Sequence, residues 1–221
     1  DRTPLKADLI AQLPVLEYVV FTGTRNGTLD ADALKQRNIL ISHTEWGPSK
    51  ESTTELTWTL ILGIQKRLIE QNTLLTQNGW RNQNSLLPIL HGQTLGLIGL
   101  GQIGSKVAKV AIAFGMKVLT WSPNMTAERA AAVGAQSVTL DELLQQSHFV
   151  SLHIVASSTT KGLINQEKLA LMRKDAILIN TSRAMLVDTE ALVSALNHHQ
   201  IAGAAVDVFD IEPMPSDHPL R

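Results

Sequence analysis

Thr94-Leu95-Gly96-Leu97-Ile98, followed at once by Gly99-Leu100-Gly101-Gln102-Ile103-Gly104 and a helical run to Phe114, decides the fold of this 221-residue chain. A short apolar run bounded by glycine reads as a buried strand, and the apolar spacing from Ile103 onward reads as a helix. The order strand, Gly-x-Gly-x-x-Gly, helix has a physical purpose. Gly99 permits the tight turn, Gly101 removes the Cβ that would block a pyrophosphate, and Gly104 lets the helix pack close to the strand. The helix N-terminus adds free N–H groups and the positive end of a dipole. Gly99, Gly101 and Gly104 are therefore candidate dinucleotide contacts.

Outward from this turn, further β-rich runs lie at Leu16–Thr22, Ile39–His43, Lys117–Trp121, Phe149–Val155, Ala176–Asn180 and Ile201–Phe209. Helical patterns fall between many of them, at Ile103–Phe114, Ala127–Val133, Leu140–Gln145, Gln166–Met172 and Thr189–Asn197. A parallel return between strands needs a crossover, and a helix supplies it. The expected class is α/β, a doubly wound parallel sheet of the Rossmann type. One helix stands apart from this rhythm. Ser52-Thr53-Thr54-Glu55 matches a capping box, so a helix is expected to start there, with Leu56, Leu60, Ile64 and Leu68 as its apolar stripe and Asn78-Gly79 as its stop. Helices of this length often bridge lobes or build dimer faces, which places a boundary near Lys50 and divides the chain into 1–49 and 50–221.

Composition narrows the function classes. A 44% hydrophobic and 18% charged chain with net charge −1 has the make-up of an ordinary globular protein, long enough to bury roughly 70% of its unfolded surface. No block of like charge marks it for nucleic acid or an anionic membrane surface. Without cysteine there is no disulfide, thiolate nucleophile or Cys-ligated metal, and the adjacent His198-His199 diverge on a helix, so no metal is expected. Asp1-Arg2-Thr3-Pro4 lacks the features of a signal peptide, and no run of about 18 apolar residues occurs; the reading is a cytoplasmic protein.

The strand Lys117–Trp121 should end at the residue that meets the adenosine ribose, which is Ser122. A carboxylate there would bind the 2′-OH and repel a 2′-phosphate, whereas Ser does neither strongly. No Arg follows immediately, although Arg129 is near in sequence, so NAD is favoured and NADP stays open.

Three further segments carry a resemblance. Ile179-Asn180-Thr181-Ser182-Arg183-Ala184-Met185-Leu186-Val187-Asp188, then Ala204-Ala205-Val206-Asp207-Val208-Phe209-Asp210-Ile211-Glu212-Pro213, and Asp217-His218-Pro219-Leu220 resemble the signature segments of the D-isomer-specific 2-hydroxyacid dehydrogenases. The match in order and spacing extends to Phe21–Asn26, Ser52–Glu55, Gly79-Trp80 and Ser151-Leu152-His153. The resemblance implies an enzyme that passes a hydride between NAD(H) and the α-carbon of a D-2-hydroxy or 2-oxo acid of the glyoxylate, hydroxypyruvate or phosphoglycerate type. It implies a second, flavodoxin-like lobe, of which residues 1–49 are a part, and a homodimer.

The same resemblance assigns roles. Arg183 would hold the acid's carboxylate and carbonyl oxygen, since a guanidinium offers two parallel N–H bonds. Glu212 would orient and stabilise a histidine base. Gln102 and Ile103 would meet the pyrophosphate, Ser122 the ribose, His153 to Val155 the adenosine side, Thr181 and Ser182 the nicotinamide ribose, and Asp207 the carboxamide. Gly23 and Thr24 would offer backbone amides to the substrate carboxylate. His153 is followed by Ile154-Val155 where the family has a proline close after the histidine, a departure that weakens this contact.

The family's catalytic histidine lies beyond the His-Pro-Leu segment, and the sequence here ends at Arg221. The expectation is a fragment of a longer dehydrogenase, which binds cofactor and turns over negligibly by itself. The alternative is a non-enzymatic NAD-sensing module. Another Rossmann enzyme, such as an NAD-containing hydrolase of a homocysteine nucleoside, is disfavoured by Asn180–Asp188.

Overall fold

The computed structural model describes residues 4–22, 26–44, 47–80 and 86–221, which fall into two compact units, Asp1–Lys50 and Glu51–Arg221. In the first, α1 (Ala7–Ala11) precedes β1 (Tyr18–Phe21), and α2 (Ala31–Gln36) crosses over to β2 (Leu40–His43), which pairs in parallel with β1. Asp30 caps α2 by accepting from the Ala33 amide at 3.0 Å, and Ile10, Leu34 and Ile39 form a small core. Both helices went unread in the sequence because neither is long enough to show a period.

α3 (Ser49–Gln65) begins with the last two residues of the first unit and continues into the second, where α4 (Leu68–Thr76) follows. The strands of the second unit are β3 (Thr94–Ile98), β4 (Lys117–Trp121), β5 (Gln136–Ser137), β6 (Phe149–Leu152), β7 (Ile177–Asn180) and β8 (Gly203–Val206). They pair in parallel in the order β5-β4-β3-β6-β7-β8. The chain starts at the centre, runs to one edge, then returns beside β3 and runs to the other. That reversal puts α5 (Gln102–Ala113) and α6 (Ala127–Ala131) on one face, and α7 (Leu140–Gln146), α8 (Gln166–Leu171) and α9 (Thr189–Asn197) on the other.

Side chains alternate accordingly. Leu95, Leu97, Phe149, Ile177 and Ile179 pack with α5, α6 and α3, while Ile98, Val150, Leu152 and Leu178 pack with α7, α8 and α9. Burial on both faces explains why these strands read as continuous apolar runs. The expected doubly wound parallel sheet is what the structure shows. The two-residue β5 carries too few residues to signal a strand, and β6 and β8 end before the expected Val155 and Phe209, where the chain turns into loops.

Three expectations about the long helix are corrected. It starts at Ser49, because Pro48 supplies a φ suited to the first turn, so Ser52 is inside the helix and not its cap. It breaks at Arg67, whose φ of 48° is left-handed, and resumes as α4. Its buried face is Thr54, Thr57, Trp58, Ile61 and Gln65, one position beside the expected stripe, leaving Leu56, Leu60 and Ile64 half-buried. The capping box lies elsewhere, at Thr139 and Glu142, which exchange backbone and side-chain bonds of 3.2 and 2.9 Å at the start of α7. Among the described residues no helix is long and apolar enough to cross a membrane.

Candidate functional site

The C-terminal ends of β3 and β6 lie side by side where the strand order reverses, the place at which open α/β sheets bind ligands. Here β3 runs into the glycine turn. Gly99 has φ 101°, and a Cβ on it would lie 2.7 Å from the His153 carbonyl carbon and oxygen and from the Ile154 nitrogen. Glycine is needed twice over, for the conformation and for the approach to the end of β6. A Cβ on Gly104 would meet the Gly99 oxygen at 2.3 Å, so the close contact of α5 is with the turn itself.

Gly101 differs from both. A Cβ there would meet nothing within 4 Å, and Gly101 is the N-cap of α5 without a side chain to satisfy the first amides. No acidic residue occupies the first turn of α5. The turn thus leaves open space beside Gly101 and uncapped amides at the positive end of the α5 dipole, an arrangement that suits a pyrophosphate.

The other expected contacts follow along the same sheet edge. Ser122 leaves β4 in a turn closed by the Met125 amide on the Ser122 carbonyl at 3.1 Å. Arg129 reaches back to the Asn124 carbonyl at 2.7 Å, which brings its guanidinium to this turn. His153 donates its amide to Ile98 at 2.8 Å, and its Nε2 lies 2.9 Å from the hydroxyl of the fully buried Ser151. Desolvation pushes the His153 pKa down to about 4, so the ring is neutral near pH 7. Val155 is exposed on the loop beyond.

At the end of β7, Asn180 is 2% exposed and organises the loop that follows. Its Nδ2 donates to the Arg183 carbonyl at 3.0 Å and its Oδ1 accepts from the Ser182 amide at 3.0 Å. Ser182 Oγ donates to the Ile154 carbonyl at 3.0 Å, tying this loop to the one after β6. Asp207, past β8, donates its amide to the Asn180 carbonyl at 3.0 Å. Arg183 is exposed, with Nη1 donating to the Ser182 carbonyl at 2.7 Å. Glu212 is exposed further on, where Oε1 accepts from the Phe209 amide at 3.2 Å. Hydrogen bonds thus chain the glycine turn, His153, Ser182 and Asp207 together. Gly23 and Thr24 lie outside the described residues.

Sequence reasoning passed over Asn180 and Ser151 as site residues. The available signal was a polar residue within or ending an apolar strand, since such a group is buried only with partners. Among the described residues no group of three or more potential metal ligands occurs.

A doubly wound sheet with a glycine turn at its switch point defines a dinucleotide-binding domain. Residues 58–221 match the family model described as D-isomer specific 2-hydroxyacid dehydrogenase, NAD binding domain, and the chain belongs to that family. It is 37% identical to glyoxylate reductase of Aeropyrum pernix over 98% of its own length, and spans 66% of that relative. It superposes with a TM-score of 0.89 on phosphoglycerate oxidoreductase from Vibrio cholerae, at 31% identity, covering 99% of this chain and 70% of that one. D-lactate dehydrogenase from Aquifex aeolicus, complexed with NAD and lactic acid, gives a TM-score of 0.80 at 35% identity, covering 93% of this chain and 62% of that one.

Proposed function

We propose that this chain is the cofactor-binding part of an NAD-dependent dehydrogenase acting on a small D-2-hydroxy or 2-oxo acid of the glyoxylate, hydroxypyruvate or phosphoglycerate type. The observation that carries the reading is the joining of the glycine turn and the Asn180–Arg183 loop along one sheet edge, through the Ile98–His153 and Ser182–Ile154 hydrogen bonds. When bound, NAD(H) accepts or supplies the hydride. Gly99 to Gly104, with the amides opening α5, hold the pyrophosphate. Ser122 faces the adenosine ribose, His153 to Val155 the adenosine side, Thr181 and Ser182 the nicotinamide ribose, and Asp207 the carboxamide. NAD is the favoured cofactor, in line with the family's NAD binding domain, while Ser122 carries no charge to repel a 2′-phosphate and Arg129 adjoins its turn, so NADP is the alternative to be measured.

Arg183 is the substrate residue of this reading. Its permanently charged plane lies one residue beyond Ser182, and it offers the acid parallel donors that lysine could not. Glu212 supplies a carboxylate for a histidine base, and we assign that base to none of the seven histidines here. His91 and His148 lie before β3 and β6, at the opposite sheet edge from the site, and His148 Nδ1 accepts from the Thr94 amide. His218 Nδ1 accepts from the Leu220 amide and its ring packs edge-on against Phe209. The chain by itself is therefore expected to bind cofactor with negligible turnover, which also keeps an NAD-sensing module as the second reading.

Calorimetric titration of oxamate, a 2-oxo acid mimic, into the NADH-loaded chain separates the two. The dehydrogenase reading expects binding that Arg183→Ala weakens by roughly 1.5–3 kcal/mol while NADH affinity holds. Oxamate binding unchanged by Arg183→Ala, or absent from the wild type, would favour the sensor.

Exposed apolar residues on α4, Leu68, Ile69 and Leu75, support a homodimer. That helix buries no residue within its own chain.

A further inference from the structure

Thr57 and Thr181 lie 124 positions apart in sequence, yet their hydroxyl oxygens are 3.0 Å apart in the interior. Thr57 is fully buried in α3, and Thr181 is 9% exposed at the end of β7. Each hydroxyl has one proton. Thr57 Oγ1 also lies 2.8 Å from the Thr53 carbonyl, one turn earlier, and a carbonyl can only accept. The Thr57 proton is therefore committed to Thr53, and the bond to Thr181 runs the other way, with Thr181 donating. Thr181 is left with lone pairs only. Its neighbour Ser182 is in the same condition, because its proton goes to the Ile154 carbonyl at 3.0 Å.

We infer that Thr57 is a positioning residue that fixes the polarity of the Thr181 hydroxyl, making the Thr181-Ser182 pair an edge of acceptors that selects a ligand presenting hydroxyl donors. The inference rests on the proposed cofactor site, in which the donors are the hydroxyls of the nicotinamide ribose. It adds a residue from α3, whose Thr57 meets Thr181 just past β7 and whose Ile64 lies beside Gly203 of β8, and it gives that residue a chemical task. An anionic group at Thr181 is disfavoured by this arrangement, since no hydroxyl proton remains to meet it. Without the Thr57 oxygen the Thr181 proton loses its buried acceptor and competes for the position that the ribose hydroxyl must use.

The test compares NADH with its analogues lacking the 2′- or the 3′-hydroxyl of the nicotinamide ribose, by fluorescence titration of the chain. Wild type is expected to bind one deoxy analogue about fivefold or more weaker than NADH. Thr57→Val should weaken NADH by a similar factor, and that penalty should vanish for the same deoxy analogue. Thr57→Ser keeps the oxygen and should restore affinity to within about twofold. Thr59→Val is the control, because exposed Thr59 makes the same bond back to Glu55 without touching Thr181. A Thr57→Val penalty equal for NADH and both analogues, or a Thr57→Ser variant as weak as Thr57→Val, overturns the inference while leaving the cofactor site intact. Should Thr57→Val fail to fold, wild type alone decides, since equal affinity for NADH and both analogues overturns it. A wild type that binds no NADH overturns the site itself together with the inference.

Discussion

The glycines of the turn are not equivalent, and their differences separate folding from binding. A methyl group at Gly101 enters open space with an allowed backbone, whereas one at Gly104 strikes a carbonyl oxygen at 2.3 Å. Gly101→Ala is expected to cost less than about 1 kcal/mol of stability and to weaken NADH at least about tenfold. Gly104→Ala should cost about 1–3 kcal/mol as well as affinity. Urea unfolding beside cofactor titration checks the pair, and a Gly101→Ala variant with unimpaired binding would remove the pyrophosphate from this turn. His153 gives a second prediction at this scale. Its pKa in the folded chain is depressed to about 4 from an ordinary value near 6.5, so between these values the unfolded chain holds more protons. Stability should therefore fall as pH drops from about 6.5 towards 4, and His153→Gln should make the slope shallower but not flat, because burial and Arg173 also lower His148. Most residues of the proposed contacts along the sheet edge could be named from the sequence because each sits at a strand end or turn marked by a motif. Asn180 and Thr57 drew no such reading, since the hydrogen bonds they make are to partners that only the folded chain brings near.

Elements were readable in proportion to their length and burial. The strands β3, β4, β6 and β7, buried on both faces, stood out as apolar runs, and α9 was read with its observed limits, Thr189–Asn197. The long helix misled because periodicity identifies a helix more readily than it tells which of two adjoining stripes is buried. Threonines occupy much of its inward face, and Thr57 is accepted there through hydrogen bonds to Thr53 and Thr181. The capping-box letters at Ser52–Glu55 carried no such geometry, while the same pattern at Thr139–Glu142 did. Beyond the left-handed Arg67, α4 exposes Leu68, Ile69 and Leu75 at 64%, 82% and 61%. Bare apolar surface of this kind is usually covered by a partner. The proposed dimer predicts a mass near twice that of one chain in sedimentation equilibrium, and Ile69→Asp should shift it toward monomer. A wild type that is monomeric at tens of micromolar would contradict the assignment of this face.

At the scale of the whole molecule, alternation of strands and helices gave the class, and the glycine turn marked where the sheet begins. The strand order was not itself legible, because it depends on which edge each crossover takes, and the turn residues leave that open. Its reversal between β3 and β6 is what brings the turn, His153 and the loop after β7 to one edge. The acid substrate was less legible than the cofactor, since the proposed role of Arg183 calls for a carboxylate but no described side chain selects among small acids. The central claim is that this edge binds a nicotinamide dinucleotide, and titration of the chain with NADH and separately with NADPH, followed by tryptophan and nicotinamide fluorescence, tests it most directly. Saturable binding is predicted, tighter for NADH, and lost in Gly101→Ala. Absence of saturable binding by either cofactor would contradict the account.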